Sequence, residues 1–135
     1  MIVQILRCLP ALAILVTSCV LSSLPTIEAM PGFWNADKLV HIVCFGGLAF
    51  WVAFGMSRPV VRWRGGLNGL WLWVLPVLFV AAYGAIDEFH QSFTPGRSCS
   101  ALDWCADVAG AMLGSWVHLV VLKAWRGWRR FGGVE

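Results

Sequence analysis

The sequence predicts an all-α integral membrane protein, a bundle of four transmembrane helices with both termini on the cytoplasmic side. Three observations carry this expectation. Of 135 residues, 59% are hydrophobic and 13% charged, whereas soluble domains carry about 25% charged residues. The apolar residues gather in four runs, approximately 2–24, 37–56, 67–88 and 100–122. Each is long enough to cross a hydrocarbon core of about 30 Å. The basic residues, finally, cluster on alternate connections. No run shows strand alternation, and a helix satisfies its own backbone groups in lipid. The expected organisation is a first helix over 1–24, a three-helix core over 30–122 and a basic cytoplasmic tail over 123–135. The length leaves no room for a separate soluble domain beside the spans.

The first run carries Arg7 near its start, like the opening of a secretory signal. Val16-Thr17-Ser18-Cys19 loosely resembles a lipoprotein processing box. Apolar residues continue to Leu24, however, so an uncleaved helix is expected. The second run opens on Asp37, Lys38 and His41 and is followed by Arg58, Arg62 and Arg64. Pro76 predicts a kink in the third, because it lacks a helical donor and crowds the preceding turn. That run ends on Asp87 and Glu88, followed by His90, Gln91 and the turn Thr94-Pro95-Gly96-Arg97. The fourth contains Gly110-x-x-x-Gly114, a small-residue face suited to close helix approach, and is followed by Lys123, Arg126, Arg129 and Arg130. By the positive-inside bias these arginines mark the cytoplasmic side. Trp71, Trp73, Trp125 and Trp128 fall near span ends, whereas Trp51 and Trp116 read as packing residues. The five cysteines show no CxxC spacing, leaving a Cys99–Cys105 bridge open.

This topology gathers six of the seven acidic residues at the extracytoplasmic end: Glu28, Asp37, Asp87, Glu88, Asp103 and Asp107. His41, His90, Gln91 and Arg97 map there too. Asp37 and His41 are i,i+4 and share a face. Gly84, Asp87, Glu88 and Gln91 form one stripe, and Ser100, Asp103, Asp107, Gly110 and Gly114 another. Helix capping accounts for part of this, since Asp37 and the Ser100/Asp103 pair suit N-termini. Asp87 and Glu88 are different, because carboxylates at a helix C-terminus oppose its dipole. They need partners, for which Lys38, His41 and Arg97 are the nearest candidates. Ionisable residues within a span are functional-site hypotheses by default.

Two stretches resemble a known family. DKLVHIVCFGGLAF, from Asp37 to Phe50, is similar to the Asp-Lys-x-x-His-x-x-x-Phe opening of VanZ-like membrane proteins. DEFHQSFTPGRSCSALDWCADVAGAMLG, from Asp87 to Gly114, resembles their second signature of Asp-Glu, His-Gln, Pro-Gly-Arg and an Asp before a glycine-rich helix. The resemblance covers roughly residues 30–120. One departure is Asp107, where the family often has Asn. The resemblance implies a multi-pass protein of the bacterial inner (plasma) membrane with a cell-envelope role. The family takes its name from a member associated with glycopeptide resistance. Carried over by position, the motif residues are Asp37, Lys38, His41, Asp87, Glu88, His90, Gln91, Arg97 and Asp103.

Two functions are open. In the first, the polar site binds a lipid headgroup or a lipid-linked cell-wall component. Arg97 and Lys38 would meet phosphate, with Asp37, His90, Gln91 and Asp103 as further binding residues. In the second, the protein is a membrane-embedded hydrolase or transferase acting on an amphiphile at the outer leaflet. Asp87 or Glu88 would then serve as base and His41 or His90 as proton relay. A divalent cation held by Asp87, Glu88, Asp103 and a histidine is the metal-assisted form of that reading. No established ligand spacing is present, so no metal ligand is assigned and the cofactor is unknown. A proton-coupled carrier would place its ionisable groups nearer the midplane. No nucleic-acid motif is present, and nothing fixes the oligomeric state.

Overall fold

The computed structural model describes residues 2–25, 36–62 and 68–132. Glu28 and Arg64, and the side chains of Arg58, Arg62, Arg129 and Arg130, lie outside what it describes. Four helices follow in order: α1 (Ile2–Ser22), α2 (Ala36–Arg62), α3 (Asn68–Gln91) and α4 (Ala101–Gly132). All four are long and apolar enough to cross a membrane, and no strand occurs among the described residues. α3 stays helical through Pro76, and α1 through Pro10.

The helices alternate in direction. Arg7, near the start of α1, donates from Nη2 to the Phe54 carbonyl and to Ser57 Oγ at the far end of α2, both at 2.9 Å. At the opposite end, Ser22 of α1 reaches Asp87 of α3, and Lys38 of α2 reaches Asp103 of α4. The end of α1, start of α2, end of α3 and start of α4 therefore meet.

α2 is the central helix. It contacts the other three, most extensively α4, whereas α1 rests mainly on α2. Phe45, Leu48 and Ala49 of α2 join Val80 and Ala111 in the buried core. The α2–α4 contact is close because glycines line it. A Cβ on Gly110 would run into the Ile42 carbonyl, and one on Gly114 into the Gly46 carbonyl; one on Gly46 would lie 3.0 Å from the Gly110 oxygen. The small-residue face expected from spacing is this interface. Leu78, Ile86 and Leu102 are among the many large apolar side chains left exposed, as a lipid-facing surface requires.

Two sequence expectations need revision, and the bridge left open between Cys99 and Cys105 is absent. α2 and α4 run well past the apolar segments, to Arg62 and Gly132, so residues 123–132 continue α4 as helix. Hydropathy marks only the lipid-compatible part of a helix, while backbone hydrogen bonds carry it onward through polar turns. Trp116 is 57% exposed and is not a core packing residue, unlike Trp51, which packs edge-on against Phe50 and Phe54. All five cysteines are free, including Cys99 and Cys105.

Candidate functional site

The connection after α3 builds one side of the site. Pro95 and Gly96 occupy the central positions of a turn closed by Arg97 N donating to Thr94 O at 3.1 Å. Gly96 has φ 81°, the left-handed value a type II turn requires at its third residue and glycine adopts without strain. The turn folds Arg97 back over the end of α1. There Arg97 donates from Nε to Leu24 O (3.2 Å) and from Nη2 to Leu21 O (3.3 Å), the latter a carbonyl that also accepts the Leu24 N–H at 3.2 Å. Thr94 Oγ1 adds a bond to Ser22 O at 3.1 Å. Arg97 Nη1 donates to Gln91 Oε1 (3.1 Å), and Gln91 Nε2 donates to Asp87 Oδ2 (3.1 Å). Ser22 Oγ bonds the same Asp87 oxygen at 2.8 Å.

A second group sits between α2, α3 and α4. Lys38 Nζ bridges Asp37 (2.9 Å) and Asp103 (3.0 Å); all three side chains are part-exposed, so solvent screens the bridge and it adds little to stability. One turn deeper, His41 Nδ1 lies 2.8 Å from Asp107 Oδ1, and its ring stacks on Phe45. Glu88 Oε2 accepts the Ser100 backbone N–H at 2.7 Å. Ser100 Oγ in turn accepts from the N–H of Asp103 at 3.2 Å. Glu88 thus completes the N-terminal cap of α4 from a different helix, where the dipole favours a carboxyl group. His41, Glu88 and Asp107 are buried, and each offers a ligand atom within 4.8 Å of the others.

The residues singled out from sequence therefore separate into three sets. Asp37, Lys38 and Asp103 form an ion-pair rim. Asp87, Gln91 and Arg97 join α3 and its following loop to α1. His41 and Glu88 belong to the buried group with Asp107. His90 is half-buried; its carbonyl accepts the Phe93 N–H at 3.1 Å, and its ring makes no hydrogen bond with the described residues.

Asp87 and Glu88 do not pair with Lys38 or Arg97. Asp87 accepts from neutral Ser22 and Gln91, and Glu88 from a helix N-terminus, because neighbouring helical positions point about 100° apart. Capping consequently explains part of Glu88. The cation set named from sequence is also redrawn, since Asp87 and Asp103 lie outside the His41 group and Asp107 lies within it.

Ser22 and Thr94 were missed as site residues, and Asp107 was placed in the polar cluster with no role assigned. Asp107 had a signal, being a carboxyl group on the Gly110–Gly114 face inside an apolar run. Ser22 and Thr94 had none.

His41 and the Asp87, Gln91 and Arg97 set border a cavity of about 320 Å³ between α1 and α2. Its wall is apolar along Ala13, Ile14, Leu21, Val40, Val43 and Phe45. Its polar end is formed by Ser22, His41, Asp87, Gln91 and Arg97.

A family model described as VanZ/LLP1 matches residues 6–122, a stretch that takes in α1 as well as the two motif-bearing segments. No curated protein and no solved structure matches the chain.

Proposed function

The chain belongs to the VanZ/LLP1 family, and from that premise we propose that it binds an amphiphile, a lipid headgroup or lipid-linked envelope component, in the α1–α2 cavity. The carrying observation is the cavity's division into an apolar wall and a polar end, which matches a molecule with an acyl chain and a hydrogen-bonding head. Arg97 is the chief headgroup contact in this reading. A guanidinium has five N–H donors, and Arg97 uses three of them, on Leu24, Leu21 and Gln91. It pairs with no carboxylate among the described residues, so its remaining donors suit a phosphate oxygen.

The test is lipid mass spectrometry of the purified protein. Arg97→Gln is expected to lower the co-purifying amphiphile at least about tenfold, because a hydrogen bond to a charged group contributes about 1.5–3 kcal/mol. Arg97 also holds α1, so a second variant separates binding from folding. Ala13→Trp fills the apolar wall without touching the polar end, and should lose the amphiphile while keeping its melting temperature. Retention of the amphiphile by both variants would sink the proposal.

The proposed location is the bacterial plasma membrane, with the polar end outside. Cys99 is exposed beside that end. In a variant keeping only this cysteine, an impermeant maleimide added to intact spheroplasts is expected to label it. Labelling only after permeabilisation would place the site in the cytoplasm. A link to glycopeptide tolerance predicts a lower inhibitory concentration of teicoplanin in a deletion strain, restored by the wild-type chain.

One observation favours the enzymatic reading. His41 is oriented by Asp107 at 2.8 Å and lines the cavity, the base-and-orienter arrangement of acid–base sites. A His41→Gln variant that still binds the amphiphile while a precursor accumulates in cells would support catalysis. Normal precursor levels would leave binding as the function.

A further inference from the structure

His41, Glu88 and Asp107 come from α2, α3 and α4 and converge inside the bundle, with relative exposures of 9%, 3% and 0%. One potential ligand atom from each lies within 4.8 Å of the other two. Two carboxyl oxygens there, Glu88 Oε1 and Asp107 Oδ2, are buried and have no hydrogen-bond partner among the described residues. Such atoms are rare in folded proteins, and each calls for an explanation such as an ion. The chain also leaves space for this arrangement. Gly84 faces Asp107, and a Cβ there would stand only 2.8 Å from Oδ2.

Counting charge leads to the same place. Lys38 is shared between Asp37 and Asp103, and Arg97 is turned toward α1. Two buried carboxyl groups thus face a single imidazole, which can carry at most one positive charge. A divalent cation would balance both carboxylates and give each orphaned oxygen a partner. We propose that His41, Glu88 and Asp107 bind one divalent transition-metal ion of the Zn²⁺ or Mn²⁺ class. Imidazole with two carboxylates suits those ions, whereas Mg²⁺ and Ca²⁺ favour all-oxygen surroundings. Metal–ligand bonds of about 2.0–2.2 Å would draw the three donors closer together than they stand here. This site does not rest on the amphiphile reading, although His41 borders the cavity as well.

The test uses the full chain in detergent, with any polyhistidine tag removed. After chelator treatment, Zn²⁺ or Mn²⁺ is added back, unbound metal is removed, and the ion is counted by mass spectrometry. About one ion per chain is expected, with a melting temperature raised by about 5 °C. Glu88→Gln and Asp107→Asn preserve side-chain shape and should bind at least tenfold less, without the thermal response. Asp87→Asn should keep the ion, because that carboxyl bonds Ser22 and Gln91 instead. Wild-type protein holding under one ion per ten chains, with no thermal response to either metal, would overturn the proposal in favour of a proton shared within the group. Equal metal binding by Glu88→Gln and Asp107→Asn would overturn it too.

Discussion

Replacing Gly114 with leucine is expected to leave almost no folded protein. A Cβ at this position would meet the Gly46 carbonyl group, with the carbonyl carbon at 2.7 Å and Cα at 3.0 Å. Those are backbone atoms of α2, so no side chain can turn aside to make room. α2 and α4 would have to separate along the most extensive contact in the bundle. Extra methylenes in a packed core cost about 1–3 kcal/mol, and here the strain falls on two helix backbones at once. We expect Gly114→Ala to lie near the top of that range and Gly114→Leu beyond it. Gly127→Ala is the informative control. Gly127 is also in α4, but nothing lies within 4 Å of its added Cβ. It should therefore gain about 0.5–1 kcal/mol from better helix propensity. Thermal unfolding monitored by size exclusion in detergent reads both. Equal stability of Gly114→Leu and wild type would mean that the two helices do not pack through this face.

How much of this architecture was legible beforehand follows from which forces act locally. The four spans could be read because each is a continuous apolar run, a property of neighbouring residues. The glycine face could be read because helical periodicity is equally local. Spacing alone assigned Gly110 and Gly114 to one face, and their contact with Ile42 and Gly46 fulfils it. What remained hidden is which face meets which helix.

Asp87 and Glu88 illustrate the loss. As adjacent residues they looked like one acidic pair, yet the helix turns them toward α1 and α4 respectively. Each finds a partner more than ten residues away in sequence, and no spacing rule identifies Ser22 or Ser100. Asp107 shows the converse case. Its position one turn beyond Asp103 put it on the correct face, but only the packed bundle brings it to His41. His90 had a motif match, yet its ring makes no hydrogen bond among the described residues, because its direction from α3 differs from that of Glu88 by two helical steps.

The second large effect is expected at that His41–Asp107 bond. Asp107 is fully buried and His41 nearly so. Asp107→Leu would leave Nδ1 without its acceptor, and we expect stability to fall by about 3 kcal/mol. Asp107→Asn should differ from wild type by less than about 1 kcal/mol. Its amide oxygen can accept the same bond from Nδ1–H, and its NH₂ group replaces a carboxyl oxygen that has no partner among the described residues. The bond itself is isolated by a double-mutant cycle with His41→Phe, which retains a ring to stack on Phe45. A coupling energy of about 1–3 kcal/mol is expected for groups in direct contact. Additivity within about 0.5 kcal/mol would instead mean that the two side chains do not interact, removing the basis for an oriented imidazole. The Asn variant then distinguishes shape from charge. If it folds like wild type but loses the metal response, Asp107 acts through its charge. If it also keeps that response, the carboxyl group is needed only as a hydrogen-bond acceptor.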